Sequence, residues 1–285
     1  MEFIKKGNSM ELQLDSRNRR RVKYCPCNKN NKDGKFVPFK DSEKHGYCHS
    51  CDRTFLPDKN TFHDFTPIKR KKEIKPEFIK KEYLKSLLYD YKDDNNNFVH
   101  FLERTLGVNK TYEILKDYLL GTSKKTNGAV VFPYINSDNN IISLKVMQYN
   151  KVTGKRVGGI YYDNPKKRYP ICFFGEHLIN EYERPIGIVE SEKTACLMSY
   201  FHPYYTWLAC GGSNGLKAEK FMAFKYKDIH LFPDHEKFDL WNEKMLELVD
   251  THPTIKFKIS KECEIWFKQG HIKKGDDIAD YYLRL

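Results

Sequence analysis

Two short apolar stretches of the chain end in acidic residues: Pro185-Ile-Gly-Ile-Val189 runs directly into Glu190-Ser-Glu-Lys-Thr-Ala195, and Ile229-His-Leu-Phe-Pro233 runs into Asp234-His-Glu236. Short apolar runs bounded by polar residues are typical of buried strands, and here they alternate with helical patterns. This alternation predicts a mainly parallel sheet with helices on both faces. Because ligands bind at the carboxyl ends of the strands in such sheets, we expect these acidic residues at a binding edge.

The same pattern continues through the C-terminal part of the chain. The predicted strands span residues 185–189, 205–210, 228–233 and 254–259, and the clearest helical patterns span 191–201 and 241–249. A glycine-rich turn, Gly211-Gly-Ser-Asn-Gly215, follows the second of these strands. A turn of this kind brings backbone N–H groups close to a phosphate or lets the chain pass tightly beside a metal ion.

The acidic residues at this edge are candidate ligands for a divalent cation. Gathered carboxylates repel one another unless a hard cation lies between them, and oxygen-only ligation suits Mg²⁺. The candidates for catalysis and for Mg²⁺ binding are Glu190, as general base or ligand, with Asp234 and Glu236 as ligands.

A third acidic cluster, Gly275-Asp-Asp-Ile-Ala-Asp280, lies near the end of the sequence. Asp277 and Asp280 are candidates to hold a second ion or to position the first, and Lys193 is a candidate to contact a substrate phosphate. A purely structural role is the alternative, because acidic residues in the first turn of a helix are favoured by the helix dipole. Asp234 has no such local explanation, since it follows an apolar strand.

Four of the eight cysteines form two close pairs, Cys25-Pro-Cys27 and Cys48-His-Ser-Cys51. Two pairs on separate turns supply the four soft ligands of a tetrahedral Zn²⁺ site, and they predict a zinc ribbon whose folding energy comes from the metal. The first spacing is shorter than the usual C-x-x-C, so His45 or His49 remains an alternative to Cys27 as the fourth ligand.

Positive charge is concentrated at the N-terminal end of the chain. The formal net charge is +12, and residues 1–80 carry 20 Lys and Arg against 11 Asp and Glu, whereas residues 81–285 carry 30 against 27. This asymmetry predicts a module that binds a polyanion, and a solvated basic face is the alternative. Residues 57–80 contain prolines and the run Lys69-Arg-Lys-Lys72, a composition typical of a linker.

Between this linker and the acidic edge, the apolar spacing changes from helical to strand-like. Residues 81–120 contain three helical stripes, and strands are predicted within 127–133, 141–149 and 159–162. Basic residues and tyrosines alternate on these strands, which predicts a groove that follows single-stranded nucleic acid, with an ordinary exposed sheet face as the alternative. The residues of this predicted surface are Lys145, Tyr149, Lys151, Lys155, Arg156, Tyr161, Tyr162, Lys166, Lys167 and Arg168.

The order of these motifs resembles that of primases. Ile188-Val-Glu190, Gly211-Gly212, Leu231-Phe-Pro-Asp234-His-Glu236 and Gly275-Asp-Asp277-Ile-Ala-Asp280 resemble the Toprim domain shared by topoisomerases and by bacterial and phage primases. The segment from Gly128-Ala-Val-Val-Phe-Pro133 onwards is similar to the basic subdomain that precedes Toprim in bacterial primases. With a zinc ribbon in front, the resemblance covers most of residues 20–285.

The resemblance implies an α/β fold in which a Toprim-type parallel sheet follows a basic α+β subdomain and a small zinc ribbon. The implied domains are a zinc ribbon at 1–56, a basic linker at 57–80, a primase-like subdomain at 81–182 and a Toprim domain at 183–285. It further implies structural Zn²⁺, a Mg²⁺ site, single-stranded DNA and nucleoside triphosphates as partners, and a role in DNA replication with a separate helicase.

Two positions depart from the Toprim pattern and keep other functions open. Ser191 stands where the family usually has glycine, and Asp234-His-Glu236 replaces Asp-x-Asp. Short proteins of this type occur in bacterial mobile elements and phages. The alternatives to a primer-synthesising enzyme are therefore a catalytically weak DNA-binding accessory protein of a mobile element and a Toprim nuclease. The chain start lacks the apolar core of a signal peptide and no stretch is long enough to span a membrane, so a cytoplasmic protein with no membrane partner is expected.

Overall fold

The computed structural model describes residues 12–40, 42–57, 77–90, 95–163, 172–180, 183–212 and 214–285. The chain divides into two compact units, one up to Glu73 and one from Ile74 onwards. Most of the predicted linker, with its run Lys69–Lys72, lies outside the described residues, and so do Lys166, Lys167 and Arg168. None of the helices in the described ranges is long and apolar enough to cross a bilayer.

The first unit is built around a small antiparallel sheet in the order β1-β2-β3, with β1 at Phe36–Pro38, β2 at Gly46–Cys48 and β3 at Arg53–Phe55. The buried side chain of Asn31 organises the loop before the sheet. Its amide nitrogen donates to the carbonyl oxygens of Arg19, Val22 and Phe36 at 2.8–3.1 Å, and its oxygen accepts from the N–H of Phe36 at 2.7 Å. The Asn31 side chain thus supplies hydrogen bonds to backbone groups of this short loop that regular secondary structure would otherwise supply.

The second unit begins with three helices and a four-stranded antiparallel sheet in the order β4-β5-β6-β7. The helices are α1 at Lys81–Lys85, α2 at Asn97–Leu106 and α3 at Val108–Asp117. The strands are β4 at Gly121–Thr122, β5 at Val130–Ile135, β6 at Ile141–Tyr149 and β7 at Arg156–Asp163. Both the predicted helical stretch and the change to strands are confirmed.

Local sequence explains where α2 begins and ends. The side chain of Asn96 caps the helix by accepting hydrogen bonds from the N–H groups of Phe98 and Val99. Gly107 ends the helix with φ at 82°, a backbone conformation that glycine adopts at little cost, and α3 starts at the next residue. The two helices therefore follow each other with a single residue between them.

A parallel sheet with helices completes the second unit. Its strands are β8 at Ile186–Val189, β9 at Thr206–Ala209, β10 at Asp228–Leu231 and β11 at Lys256–Ile259. Its helices are α4 at Glu192–Phe201, α5 at Phe238–Thr251, α6 at Glu262–Lys268 and α7 at Ile278–Tyr282. The predicted α/β fold is confirmed: a parallel sheet follows an antiparallel α+β part and a small cysteine-bearing sheet.

The strand order of the parallel sheet is β11-β10-β8-β9, and every neighbouring pair is parallel. From β8 the chain moves through α4 to β9 on one side, and it then returns past β8 to place β10 on the other side. The crossovers that leave β8 and β10 therefore diverge, which makes this pair the topological switch point of the sheet. Ligands in open α/β sheets bind in the crevice outside the carboxyl ends of such a pair.

Candidate active site and metal centre

Glu190 and Asp234 lie at this switch point. Glu190 directly follows β8, and the pairing of β10 with β8 extends to Phe232, whose N–H donates to the carbonyl oxygen of Ile188 at 2.8 Å. Burial raises the pKa of the Asp234 carboxyl well above its usual range, and the negative charges of Asp277 and Glu190 raise it further. Glu190 and Asp234 thus follow neighbouring strands, close enough for the charge of Glu190 to act on the Asp234 carboxyl.

Asp277 closes one side of this acidic edge and also caps a helix. Its Oδ1 accepts hydrogen bonds from the N–H groups of Ala279 and Asp280 at the start of α7. Its Oδ2 accepts from the hydroxyl of Thr194 in α4 at 2.6 Å. Both oxygens of Asp277 therefore already accept hydrogen bonds within the protein, and the residue joins α7 to the helix that follows Glu190.

Asp280 and Lys193 flank the acidic pair. Asp280 Oδ2 accepts from the N–H of Asp277 at 3.1 Å, and its Oδ1 lies 3.9 Å from Lys193 Nζ. Burial and the charge of Asp277 raise the pKa of Asp280, whereas Lys193 lowers it. Lys193 also lowers the pKa of Asp234, so its ammonium group is the cation that acts on both carboxyls.

Glu236 does not join the acidic pair, which corrects its sequence-based grouping with Glu190 and Asp234. The residue is exposed, its backbone is left-handed with φ at 70°, and its carboxylate forms an ion pair with Lys274 Nζ at 3.2 Å. Its N–H donates to Glu264 Oε1 at 2.8 Å. The left-handed turn after Asp234 directs the Glu236 side chain to the surface, an orientation that strand position alone does not predict.

The donors at the acidic edge fit a partly hydrated Mg²⁺ ion rather than a closed ligand shell. In the described part of the chain, the four cysteines alone form a set of three or more ligating side chains whose donor atoms all lie within 4.8 Å of one another. Mg²⁺ keeps several waters and is usually bound by one or two carboxylates together with substrate phosphates. Glu190 and Asp234 supply that number, because the oxygens of Asp277 are engaged elsewhere.

A buried ion pair beside this edge was not predicted from the sequence. Lys145 Nζ in β6 donates to Glu192 Oε1 in α4 at 2.7 Å, and their side chains are only 3% and 1% exposed. The prediction that Lys145 and Tyr149 contact DNA is wrong, because both side chains are buried. Alternation along β6 places Lys145 on the same face as Met147 and Tyr149, but Leu144 and Val146 on the opposite face are buried too, so the strand pattern does not distinguish an exposed face.

The four cysteines of the first unit form the predicted metal-ligating cluster, with Cys25 Sγ and Cys27 Sγ 2.9 Å apart. A set of four thiols is the donor set of a structural zinc site. The alternative ligands lie elsewhere: His45 Nδ1 lies 3.0 Å from Ser42 Oγ, and the ring of His49 packs edge-on against Tyr47. The side-chain hydrogen bond between Cys27 and Cys25 lowers the pKa of Cys27 to about 7, whereas burial raises the pKa of Cys25 to about 12.

The raised pKa of Asp234 predicts how stability depends on pH in protein without added Mg²⁺. The folded state binds the Asp234 proton more tightly than the unfolded state does. The contribution of Asp234 to the free energy of unfolding therefore falls as pH rises from the unfolded-state pKa of Asp, about 4, through the higher folded-state pKa. Asp234→Asn removes this dependence, so the stability of the variant relative to wild type should increase as pH rises above the ordinary carboxyl pKa of about 4. Thermal unfolding at a series of pH values measures the difference, and a difference independent of pH would contradict the assignment.

A domain of unknown function, DUF6371, matches residues 96–235, which include Glu190 and Asp234 but not the cysteines or Asp277. A search of curated proteins finds no match.

Several solved structures are similar to the chain. The primase fragment of the bacteriophage T7 primase-helicase protein is 14% identical, with a TM-score of 0.47 over 87% of this chain and 94% of that chain. A DNA primase domain from Pseudomonas aeruginosa is 17% identical, with a TM-score of 0.35 over 71% and 66%. The E. coli primase catalytic core is 16% identical, with a TM-score of 0.35 over 71% and 67%. The chain is thus similar to primase fragments, as the sequence predicted, and it carries the four-cysteine cluster at its N-terminal end.

Proposed function

We propose that the protein is a primase-like Toprim protein that binds single-stranded DNA and joins nucleoside triphosphates into a primer at a Mg²⁺-dependent acidic site. The observation that carries this proposal is the placement of Glu190 and Asp234 at the carboxyl ends of β8 and β10, the two strands of the switch point. A raised pKa at Asp234 supports it, because a carboxyl group that is costly to ionise alone gains most from a bound cation.

Glu190 and Asp234 would hold the metal ion. Bound Mg²⁺ supplies Lewis-acid stabilisation of phosphate charge and lowers the pKa of an attacking hydroxyl. Asp277 fixes the end of α7 against Thr194, and it thereby limits the space in which the two ligands move. Lys193, with a side chain only 16% exposed, is the candidate cation for a triphosphate oxygen, and Asp280 keeps it at the site.

The DNA surface in this proposal is the outer part of the antiparallel sheet. In β7, Tyr162 lies opposite Lys145 across the strand pair, and Lys145 in turn contacts Glu192 in α4. Side chains alternate between the two faces of a strand. Tyr162, which is 54% exposed, therefore shares the face of Lys145, whereas the neighbouring Tyr161, which is 61% exposed, points to the opposite face.

The two tyrosines provide a matched test of this surface. Tyr162→Ala is expected to weaken the binding of a single-stranded oligonucleotide by about 10-fold, since stacking one base on an aromatic ring contributes roughly 1–3 kcal/mol. Tyr161→Ala removes an equally exposed ring from the other face and should change affinity less than about threefold. Fluorescence anisotropy at fixed salt measures both, and equal losses in the two variants would contradict the assigned face.

The same acidic edge is also compatible with a Toprim nuclease, and one assay separates the two activities. Purified full-length protein is incubated with labelled single-stranded DNA, nucleoside triphosphates and Mg²⁺. The proposal predicts new oligonucleotides that depend on the triphosphates, whereas shortening of the labelled strand would favour the nuclease. Protein that binds the DNA but does neither would favour the accessory role in a mobile element.

The remaining parts of the proposal concern a structural zinc ion and a helicase partner. The four-cysteine cluster would hold one structural Zn²⁺ ion. A separate helicase in the cytoplasm would supply the single-stranded template during DNA replication. Both statements extend the sequence-based expectations, and zinc analysis with co-purification of a helicase tests them.

A further inference from the structure

Tyr134, Lys145 and Glu192 form a buried polar cluster that connects the antiparallel sheet to the helix after Glu190. The carboxylate of Glu192, the first residue of α4, accepts a hydrogen bond from Lys145 Nζ at 2.7 Å and another from the hydroxyl of Tyr134 in β5. All three side chains are at most 5% exposed. A buried ion pair is costly to desolvate and contributes little net stability, so its presence suggests a role in fixing geometry.

The cluster lies beside the backbone segments next to Glu190. Glu192 is two residues further along the chain, and Gly211 donates its N–H to the carbonyl oxygen of Glu190 at 2.9 Å. A Cβ added at Gly211, whose φ is 84°, would lie 2.7 Å from the hydroxyl of Tyr134. Tyr134 therefore packs against Gly211, whose N–H bonds the carbonyl oxygen of Glu190, and it donates a hydrogen bond to Glu192, two residues after Glu190.

A second set of contacts holds the same helix start from the opposite side. Ser191 caps α4 by accepting from the N–H of Thr194 at 3.1 Å, and the Thr194 hydroxyl donates to Asp277 at 2.6 Å. Glu190 thus precedes a helix start that is attached at one side to the antiparallel sheet and at the other to α7. Removing either attachment leaves Glu190 positioned from one side only.

We infer that Tyr134, Lys145 and Glu192 act as a positioning clamp for Glu190, and that Lys145 is a positioning residue rather than a DNA contact. The role of the clamp rests on the proposed function, because positioning Glu190 matters for metal binding only if Glu190 is a metal ligand. The clamp itself is defined by the geometry of the protein without metal. It can therefore be tested whether or not the protein makes primers.

Hydrogen exchange in the full-length protein without added divalent metal tests the clamp directly. Lys145→Met alone would leave a buried carboxylate without its cation and could prevent folding, so the main variant is Lys145→Met with Glu192→Leu, which removes both charges. Tyr134→Phe removes only the hydroxyl group. The matched control is Tyr118→Phe, which deletes another buried hydroxyl of the same unit, one that donates to the carbonyl oxygen of Trp207 at 2.8 Å.

The clamp predicts that the amides of Gly211 and Thr194 exchange at least tenfold faster in the double variant and measurably faster in Tyr134→Phe. In the control these amides should exchange as in wild type, and amides of β11 should be unaffected in every variant. Unchanged exchange at Gly211 and Thr194 in both clamp variants would overturn the inference. So would faster exchange that is equally large in β11, since that would indicate general destabilisation.

Mn²⁺ binding, followed by electron paramagnetic resonance, separates this inference from the proposed function. If the clamp and the proposed metal site are both correct, the double variant binds Mn²⁺ at least tenfold more weakly than wild type, whereas Tyr118→Phe binds it with wild-type affinity. If wild type binds no Mn²⁺ while the exchange of Gly211 rises as predicted, the clamp is supported and the proposed metal site is contradicted. If wild type and double variant bind Mn²⁺ equally, Glu190 does not depend on the clamp and the inference is overturned.

Discussion

Glu190→Gln and Asp234→Asn are each expected to lower Mg²⁺-dependent primer synthesis by about 100-fold or more, the loss typical of removing one preorganised group that stabilises transition-state charge. Glu236→Gln should retain activity within about threefold of wild type. This contrast follows from the structure, because Glu236 pairs with Lys274 at the surface, whereas Glu190 and Asp234 follow the two strands of the switch point and the charge of Glu190 raises the pKa of Asp234. Initial rates of nucleotide incorporation at saturating template measure the effect.

The same three variants carry their own controls. Zinc content and affinity for single-stranded DNA should match wild type, because neither the cysteines nor the face of Tyr162 is changed. Folding should be intact, since removing one of several neighbouring carboxylates relieves repulsion in the metal-free protein. If Glu236→Gln loses as much activity as Asp234→Asn, the grouping of ligands drawn from the structure is wrong.

Removal of zinc is expected to unfold the first unit and leave the second intact. Structural zinc sites in small domains contribute roughly 10–16 kcal/mol of apparent binding free energy, and a unit with so small a core has little else to hold it. Among residues 12–40 and 42–57, the buried apolar side chains are few: Val22, Cys25, Phe36, Val37, Phe39 and Cys48. Hydrogen exchange of the full-length protein with and without a strong chelator should show lost protection in residues 12–57 only.

Cysteine substitutions sharpen this prediction. Cys48→Ser should abolish zinc binding and protection in the first unit, because it removes one of four clustered thiols. Cys263→Ser is the matched control, since Cys263 is buried in the second unit away from any cysteine cluster. Elemental analysis should find one zinc per chain in the control and none in Cys48→Ser. Zinc-free wild type that keeps its protection in residues 12–57 would contradict a structural metal.

The parallel sheet was predictable because its signals are local. β8 is a short apolar run that a proline precedes and polar residues follow, and the predicted spans 185–189 and 228–233 contain the observed strands Ile186–Val189 and Asp228–Leu231. That Glu190 and Asp234 lie at one edge follows from strand direction, since alternation with helices indicates parallel strands, whereas the strand order that makes β8 and β10 neighbours was not predicted. The cysteine cluster was predictable for a similar reason, since close spacing in sequence limits separation in space.

What the sequence did not predict depends on contacts between distant segments. Lys145 and Glu192 are 47 residues apart, and a lysine among tyrosines on a strand is typical of an exposed face until its burial is known. Asn31 holds its loop through hydrogen bonds to three backbone carbonyls. In the sequence nothing distinguishes it from an exposed asparagine, so this role could not be predicted. Glu236 was misplaced because a single left-handed residue reverses the direction of its side chain.

The most direct test of the central claim is anomalous diffraction from crystals of the full-length protein soaked in Mn²⁺, a substitute for Mg²⁺ at oxygen sites. The account predicts a single manganese peak within coordination distance of the carboxylates of both Glu190 and Asp234, with Glu236 still paired to Lys274. A peak on Glu236 instead, or no peak at the ends of β8 and β10, would contradict a metal-dependent site at the switch point.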